Sequence, residues 1–263
     1  MINEKQIEFF SKNGAIFLKG YFTDWIEVLK SGIEKLIDNP SPRERSYKPK
    51  DGTAPFFQDL CNWQRIPEFE RFIFNSNIAE IASKLMRSKG ARFFHDHVLV
   101  KEPGSSIVTP WHQDQPYYCT SGNQTISFWI PLDTITLNNT LSCISGSHNW
   151  GKLHKPKRFD GTDLFENDNS EEVPDIDGNL DKYKILSWPV EPGDAIGFNF
   201  KTLHGAQANT GSKFRRRVFS ARWVGDDAIF VDRKGKGSPP FDHLTLKDGD
   251  KLEGDDFPLV YCK

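Results

Sequence analysis

The feature that most constrains the fold is a series of short runs, rich in aromatic and β-branched residues, that fills the chain after residue 90. The runs cover residues 92–100, 127–132, 195–200 and 218–224. Turn-forming residues lie between them: Pro103-Gly104, Ser121-Gly122-Asn123, Gly146, Pro192-Gly193 and Gly205. Short strands bounded by such turns, preceded by helices rather than alternating with them, predict a mainly antiparallel β architecture.

The first third of the chain has a helical pattern instead. Apolar residues flank a break at Gly14, and residues 25–37 place Ile, Leu and Trp near a period of 3.6. Asn77 and Glu80 have the spacing of a capping box, which predicts a helix that ends near Lys89-Gly90. We therefore expect a single domain, 1–263, with a helical layer (1–90) that buttresses a β core (91–263).

Residues 152–183 interrupt the β pattern with a polar segment that includes the stretch "DGTDLFENDNSEEVPDIDGN". No period is sustained there, so the segment is predicted to be a surface insertion or lid, a place where long loops are often functional.

Composition limits the kind of protein. A chain of 263 residues with 37% hydrophobic residues can fill a core without disulfides, and its four cysteines show no CxxC spacing. The amino terminus lacks a signal-peptide pattern, and no stretch approaches the roughly 20 apolar residues of a membrane span. The net charge of -2 gives no general reason to bind nucleic acid. We expect a cytoplasmic enzyme that acts on a small molecule, with its oligomeric state left open.

The stretch "WHQDQ" contains the first candidate metal ligands, His112 and Asp114. Residues two apart share one face of a strand, so one ion can reach both. His204, at the turn before Gly205, offers a third ligand, and two histidines with one carboxylate are typical of non-haem Fe(II) oxygenases. The alternative is a hydrogen-bonded His112–Asp114 pair on a half-exposed strand, with His204 as an ordinary turn residue.

Three consecutive arginines, Arg215, Arg216 and Arg217, begin the last strand-like run. Such a triplet is usually a solvated face. Three consecutive strand residues cannot all point inward, but any one on an inner strand face would require an anion such as a carboxylate.

In combination, several motifs resemble those of the phytanoyl-CoA dioxygenase family. They are "HDHVLVKEPGS", "TPWHQDQPYY", "SFWIPLD", "SGSHNWG", "PGDAIGF", "LHGAQANT" and "RRRVFSARWVGDDA", from about Phe94 to Phe241. The resemblance implies a double-stranded β-helix, a jelly-roll-like or cupin-like barrel, and catalysis with Fe(II), 2-oxoglutarate and O2.

Carried over from the family, His112, Asp114 and His204 correspond to the iron ligands, and Gln113 and Trp129 to positions that help to hold 2-oxoglutarate. For the arginine that anchors this co-substrate, counting forward from His204 favours Arg215 and counting back from Trp223 favours Arg216. We choose Arg216, because turns accept insertions while a one-residue slip within a strand reverses every side chain.

The resemblance implies hydroxylation of a small organic substrate, with succinate and CO2 as co-products. Halogenating relatives have a small residue in place of the carboxylate ligand, so Asp114 favours hydroxylation. The alternatives are a cupin-type metalloenzyme without 2-oxoglutarate and a non-catalytic binding protein of the same fold. The substrate is not indicated. The side chains considered as pocket residues or near an anionic substrate are His97, Lys101, Tyr117, Tyr118, Arg233, Lys234 and Lys236.

Overall fold

The computed structural model describes residues 2–263 except 51, 159–160, 167, 211–213, 234 and 236. The helices are α1 (Glu4–Asn13), α2 (Ile26–Asp38), α3 (Pro67–Asn75) and α4 (Ile78–Met86). The strands are β1 (Ala15–Leu18), β2 (Phe56–Leu60), β3 (Gly90–Lys101), β4 (Thr109–His112), β5 (Thr120–Ser121), β6 (Thr125–Pro131), β7 (Leu141–Ile144), β8 (Ile185–Ser187), β9 (Ala195–Phe198), β10 (His204–Ala206), β11 (Arg216–Val224), β12 (Ile229–Phe230) and β13 (Leu259–Cys262).

Two antiparallel sheets form the core of the molecule. The large sheet has the order β1-β9-β6-β11-β3-β13, with β2 paired to the other end of the long strand β3. The small sheet has the order β4-β10-β7-β8. One apolar cluster joins the two sheets, because Trp129 and Phe198 of the large sheet pack with Leu141 and Ala206 of the small one. This arrangement confirms the predicted mainly β, double-stranded β-helix fold.

The helices cover the other face of the large sheet. The buried side of α2 consists of Ile26, Leu29, Ile33 and Leu36, at the spacing that the sequence predicts. Edge-to-face aromatic contacts link the layers: Phe72 of α3 lies 5.7 Å from Phe219 of β11, measured between ring centroids. The helices therefore stabilise the large sheet by packing on its outer face, and the inner face, which points toward the small sheet, can line a cavity.

The amino-terminal third differs from its prediction in two respects. Within residues 1–90, β1 and β2 are strands of the large sheet, paired with β9 and β3, so this segment is not purely helical. Both strands were hidden because they are short and their apolar residues lie within a helical context. The capping box at Asn77 was also wrong: the Asn77 side chain makes no capping hydrogen bond, and α4 ends at Met86, before the predicted Lys89-Gly90.

In the part of the insertion, residues 152–183, that the structure describes, the one helix is a short 3-10 helix (Asp177–Lys182). None of the helices that the structure describes is long and apolar enough to cross a membrane. All four cysteines are free, as their spacing indicates.

Candidate iron and 2-oxoglutarate site

Pairing between two short strands of the small sheet brings the two histidines together. In the antiparallel register of β4 and β10, His204 lies opposite His112. Their imidazole rings are 4.2 Å apart between centroids. Asp114 does not lie in the strand, because β4 ends at His112 and Asp114 begins the turn into a short 3-10 helix. The carboxylate thus reaches the histidines through a turn, and not through the strand alternation that the sequence suggested.

The three side chains present one ligand atom each to a common point. These atoms all lie within 4.8 Å of one another. Asp114 Oδ1 is 3.8 Å from His112 Nε2 and 3.7 Å from His204 Nε2. Among the residues that the structure describes, this is the one such group of His, Cys, Asp or Glu side chains found. Two imidazoles and one carboxylate fit an iron ion and leave octahedral positions open for other ligands.

Hydrogen bonds to the outer atoms hold each ligand in the required orientation. His112 Nδ1 lies 2.8 Å from the Pro110 carbonyl oxygen, and His204 Nδ1 lies 2.9 Å from that of Thr202. With Nδ1–H donating to these carbonyls, Nε2 carries the lone pair that a metal requires. Ser127 Oγ donates to Asp114 Oδ2 at 2.8 Å, which leaves Oδ1 directed at the histidines.

The electrostatic environment favours the protonation states that bind a metal. Burial alone would raise the pKa of Asp114, but Arg222 first, and then the histidines and Ser127, lower that pKa below its usual range. Burial and the neighbouring His112 lower the pKa of His204 to about 3. At neutral pH the carboxylate is therefore ionised and the buried imidazole is neutral, as ligation requires.

The three ligands lie on the wall of a cavity of about 440 Å3 between the two sheets. This volume is in the range typical of small-molecule sites. Most of the wall is apolar or aromatic, and the insertion contributes to its mouth. The residues from the insertion are Lys155, Lys157, Arg158, Gly161, Glu172 and Val173.

Arg216 and Lys101 form a cationic end to the cavity. They are paired across β11 and β3, and both side chains are buried, with 5% and 1% of the residue exposed. Arg216 Nη1 donates to the carbonyl oxygens of Asn139 and Gln207, and Lys101 Nζ donates to that of Ile107. No carboxylate among the described residues forms an ion pair with either cation. A buried arginine beside a buried lysine, neither with an acidic partner among the described residues, indicates an anionic ligand.

The other two arginines of the triplet face outward and are already paired. Arg215 contacts Glu102 and Glu34, with Nη1 3.1 Å from Glu34 Oε1. Arg217 contacts Asp133 and Glu34, with Nη2 2.7 Å from Asp133 Oδ1. Strand alternation thus directs Arg216 alone into the cavity.

The remaining predicted residues divide between the cavity and its surroundings. Trp129 is buried and lines the cavity. Gln113 does not line it: its amide donates to the carbonyl oxygens of Lys152 and Lys201 and accepts from the His154 backbone N–H at 2.8 Å. Gln113 therefore ties the insertion to the core, because the chain turns after His112 and directs its side chain away from the ligand atoms.

The secondary candidates also separate. His97, Lys101, Tyr117 and Tyr118 line the cavity. Arg233 does not; its guanidinium donates to the carbonyl oxygens of Tyr118, Gln115 and Thr120 and so fixes the turn after the candidate ligands His112 and Asp114. Lys234 and Lys236 lie outside the described residues.

Sequence reasoning missed Arg222. This buried residue lies on β11, lines the cavity, and places Nε 3.5 Å from Asp114 Oδ2. The signal was present, since stepping by two from Arg216 along the predicted strand gives Val218, Ser220 and Arg222 on one face.

The site and fold together define a class: a jelly-roll oxygenase with a two-histidine, one-carboxylate metal centre. Comparison with known proteins supports the same class. The sequence model of the phytanoyl-CoA dioxygenase (PhyH) family matches residues 10–218. The chain therefore belongs to the phytanoyl-CoA dioxygenase family, and it is a 2-oxoglutarate-dependent dioxygenase of the non-haem iron type. The family, the fold, the enzyme class and the cofactors predicted from the sequence are confirmed.

The individual relatives share low sequence identity with this chain. A 2-aminoethylphosphonate dioxygenase from the uncultured bacterium HF130_AEPn_1 is 23% identical over 93% of this chain and 89% of its own length. The carbocyclase SnoK from nogalamycin biosynthesis matches with a TM-score of 0.76 and 21% identity over 99% of this chain and 97% of its own. EctD from S. alaskensis, solved with 2-oxoglutarate and 5-hydroxyectoine, has a TM-score of 0.68 and 18% identity over 95% and 85%.

Proposed function

We propose that this protein hydroxylates a small organic substrate and converts 2-oxoglutarate to succinate and CO2 in the same reaction. The observation that carries the proposal is one cavity with a His112-Asp114-His204 centre and, at its end, a buried Arg216 without an acidic partner. A dicarboxylate co-substrate that reaches from the metal to a cation fits both features.

Each residue has a defined part in this proposal. His112, Asp114 and His204 hold Fe(II), which supplies the activation of O2 when bound. Arg216 binds the distal carboxylate of 2-oxoglutarate, with Lys101 as a second cation beside it. Trp129 closes the wall between these two ends and excludes water, which strengthens the charge interactions inside.

The substrate is proposed only as a class of small molecule. The cavity volume suits a compact compound, and the curated relative acts, by its name, on 2-aminoethylphosphonate. At 23% identity this name supplies a first compound to try and not an assignment. Enzymes of similar structure include a carbocyclase and an epimerase, so ring closure or epimerisation is an alternative reaction at the same site. The presence of Asp114 as a ligand favours hydroxylation over halogenation.

Two other functions fit the fold less well. A cupin-type metalloenzyme without 2-oxoglutarate needs the metal ligands but gives no reason to bury Arg216 and Lys101 side by side. A non-catalytic binding protein gives no reason to direct two imidazoles and an ionised carboxylate at one point. The cytoplasmic location stays a prediction, supported by the free cysteines.

The test is O2 uptake and succinate release by the purified protein with Fe(II) and 2-oxoglutarate, alone and with a substrate panel that includes 2-aminoethylphosphonate. We expect 2-oxoglutarate-dependent O2 uptake that one class of compound increases, with product mass raised by one oxygen atom. His112→Ala should abolish both signals, and Arg215→Gln, which removes an outward arginine, should keep them. Activity that survives His112→Ala, or O2 uptake that ignores 2-oxoglutarate, would contradict the proposal.

A further inference from the structure

The inner face of β11 and β3 carries cations at both ends of the cavity. Arg216, Val218, Ser220 and Arg222 alternate along β11 and all line the cavity. Arg216 lies at the end that the co-substrate is proposed to occupy. Arg222 lies at the other end, beside the iron ligand Asp114. The site therefore has a second positive charge in addition to Arg216.

Three polar atoms without hydrogen-bond partners among the described residues lie at this end of the cavity, and one of them belongs to Arg222 itself. Arg222 Nη1, Ser220 Oγ and His97 Nε2 are buried and make no hydrogen bond within the described residues. Ser220 and His97 are directly paired across β11 and β3. Arg222 and Ser220 are themselves 5% and 1% exposed. Buried polar groups are nearly always satisfied, so three unsatisfied ones in one cavity indicate a ligand that bonds to them.

The protein uses only part of the Arg222 guanidinium. Its Nε donates to Tyr118 Oη and lies 3.5 Å from Asp114 Oδ2. Among the described residues, Asp114 is the one carboxylate that forms an ion pair with Arg222, and it is also a candidate metal ligand. At the cavity mouth, the nearby cations Lys155 and Lys157 already have acidic partners, Asp163 and Glu172. The unused donors therefore lie deep in the cavity and not at its rim.

We propose that Arg222, Ser220 and His97 form a subsite for an oxyanion group of the organic substrate, such as a carboxylate or a phosphonate. The inference rests on the proposed function and names the substrate class of the same site. It is separate from the Arg216–Lys101 end. Because Arg222 lies next to Asp114, an anion held there places its adjacent carbon near the metal. The oxidised carbon is thus close to the anionic group and not at the far end of the substrate.

The test is equilibrium binding of two probes of similar size and shape, the anion methylphosphonate and the uncharged dimethyl sulfone. Titration calorimetry under argon uses the protein loaded with Fe(II) and saturating 2-oxoglutarate, so that the Arg216 end is occupied. We expect methylphosphonate to bind at least about tenfold more tightly than dimethyl sulfone. Arg222→Gln should weaken methylphosphonate binding about tenfold or more, as loss of a charge-assisted hydrogen bond does.

Ser220→Ala is the second variant, because Ser220 does not touch an iron ligand. It should weaken methylphosphonate binding several-fold while Fe(II) affinity and thermal unfolding stay at wild-type values. Ser220→Ala still tests the subsite if Arg222→Gln disturbs Asp114 or fails to fold. Equal affinity for the two probes, or wild-type affinity for methylphosphonate in Ser220→Ala, would overturn the subsite.

The failure of this inference and that of the proposed function look different. Arg216→Gln should lose 2-oxoglutarate binding, whereas Ser220→Ala should keep the Kd for 2-oxoglutarate within about twofold of wild type. If the protein shows no 2-oxoglutarate-dependent O2 uptake but binds methylphosphonate through Ser220 and Arg222, the subsite stands and the reaction is another. If O2 uptake is intact and an uncharged compound is the substrate, the subsite is wrong and the function stands.

Discussion

At the scale of single residues, the arginine triplet shows how strand geometry sorts identical side chains. Arg215 and Arg217 contact Glu34, Glu102 and Asp133 on the outer face, whereas Arg216 is buried without an acidic partner. The same residue type is thus a surface ion-pair partner at two positions and a candidate ligand contact at the third. Position in the strand, and not residue type, decides the difference.

The first prediction follows from this sorting. Arg216→Gln should raise the Kd for 2-oxoglutarate by about tenfold to a hundredfold, since a charge-assisted hydrogen bond contributes roughly 1.5–3 kcal/mol. Arg215→Gln, the matched control one position away, should leave that Kd nearly unchanged. Titration calorimetry under argon measures both. A larger effect from Arg215→Gln would mean that the anchor is Arg215, the other candidate from the sequence.

The second prediction concerns Lys101. Burial, and then the charge of Arg216, lower the pKa of Lys101 to about 6, so the free protein holds this amine largely neutral at pH 7.5. A bound carboxylate favours the charged form and raises that pKa. Binding of 2-oxoglutarate should therefore take up a proton between about pH 6.5 and 8.5, and the uptake should vanish below the free-state pKa, where Lys101 is already charged.

Calorimetry in buffers of different ionisation heat measures this uptake. Lys101→Met should remove it, while Lys152→Met, a change at an exposed lysine of the insertion, should keep it. Proton release on binding, or equal uptake in the Lys101→Met protein, would show that another group titrates.

At the scale of elements, the end of α1 supports the loop that carries His204. Gly14 terminates α1 with a φ of 72°, and its carbonyl oxygen accepts from the Asn199 N–H at 2.9 Å and from Thr202 Oγ1 at 2.8 Å. The Thr202 carbonyl oxygen in turn orients His204. Helix α1 thus helps to position His204, a candidate metal ligand, through the hydrogen bonds that the Gly14 carbonyl oxygen accepts.

The third prediction is that Gly14→Ala destabilises the fold and weakens metal binding. A Cβ at this position would lie 2.6 Å from Thr202 Oγ1 and still closer to His148 Nδ1, in addition to the left-handed φ. We expect a loss of at least about 2 kcal/mol in the free energy of unfolding, with lower Fe(II) affinity. Urea denaturation and metal titration measure the two effects.

Gly104→Ala is the control for the left-handed backbone alone. Gly104 has a φ of 81° with no neighbouring atom within 4 Å of a built Cβ. It should lose only about 1 kcal/mol and keep wild-type Fe(II) affinity. An equal loss of Fe(II) affinity in both variants would show that Gly14 has no specific role in supporting the loop that carries His204.

At the scale of the whole molecule, the insertion is attached to the site by side chains next to the iron ligands. Gln113 bonds to the backbone of Lys152 and His154, and the Tyr117 hydroxyl bonds to the backbone of Lys157. Trp111 Nε1 donates to Asp177 Oδ1 at 2.9 Å. The motif that carries the metal ligands therefore also holds the segment that lines the mouth of the cavity.

The fourth prediction is that Gln113→Ala loosens the insertion. The variant leaves buried backbone groups unpaired, so cleavage within residues 152–183 by a protease should become about tenfold faster, the equivalent of roughly 1.4 kcal/mol in local opening. Gln64→Ala, which removes one hydrogen bond to Asp255 far from the insertion in sequence, should not change that rate. Mass spectrometry of the fragments over time gives both rates.

The same variant tests the other role predicted for Gln113. If its side chain acts through the insertion, the Kd for 2-oxoglutarate measured without organic substrate should stay within about twofold of wild type. A large rise in that Kd, with proteolysis unchanged, would support a direct contact with the co-substrate.

Much of the fold could be predicted because its signals are local. The strands at 92–100, 127–132 and 218–224 follow from their aromatic and β-branched residues, and the helix α2 follows from its period, signals that each segment carries by itself. The strands β1 and β2 could not be predicted in this way, since four or five residues acquire strand character only through pairing with β9 and β3. The capping role of Asn77 was also wrong, because Asn77 precedes α4 with φ -84° and ψ 11°, outside the extended conformation typical of a capping residue.

The sequence by itself determined which side chains are the candidate metal ligands, His112, Asp114 and His204, and that the arginine triplet begins a strand. Only the tertiary structure decided which cations are paired: Arg215, Arg217 and Arg222 meet acidic groups from distant segments, while Arg216 and Lys101 form no ion pair among the described residues. The physical reason is that periodicity is a property of a few consecutive residues. Whether a buried charge is paired depends on strands and helices far apart in the chain, which meet only when the molecule folds.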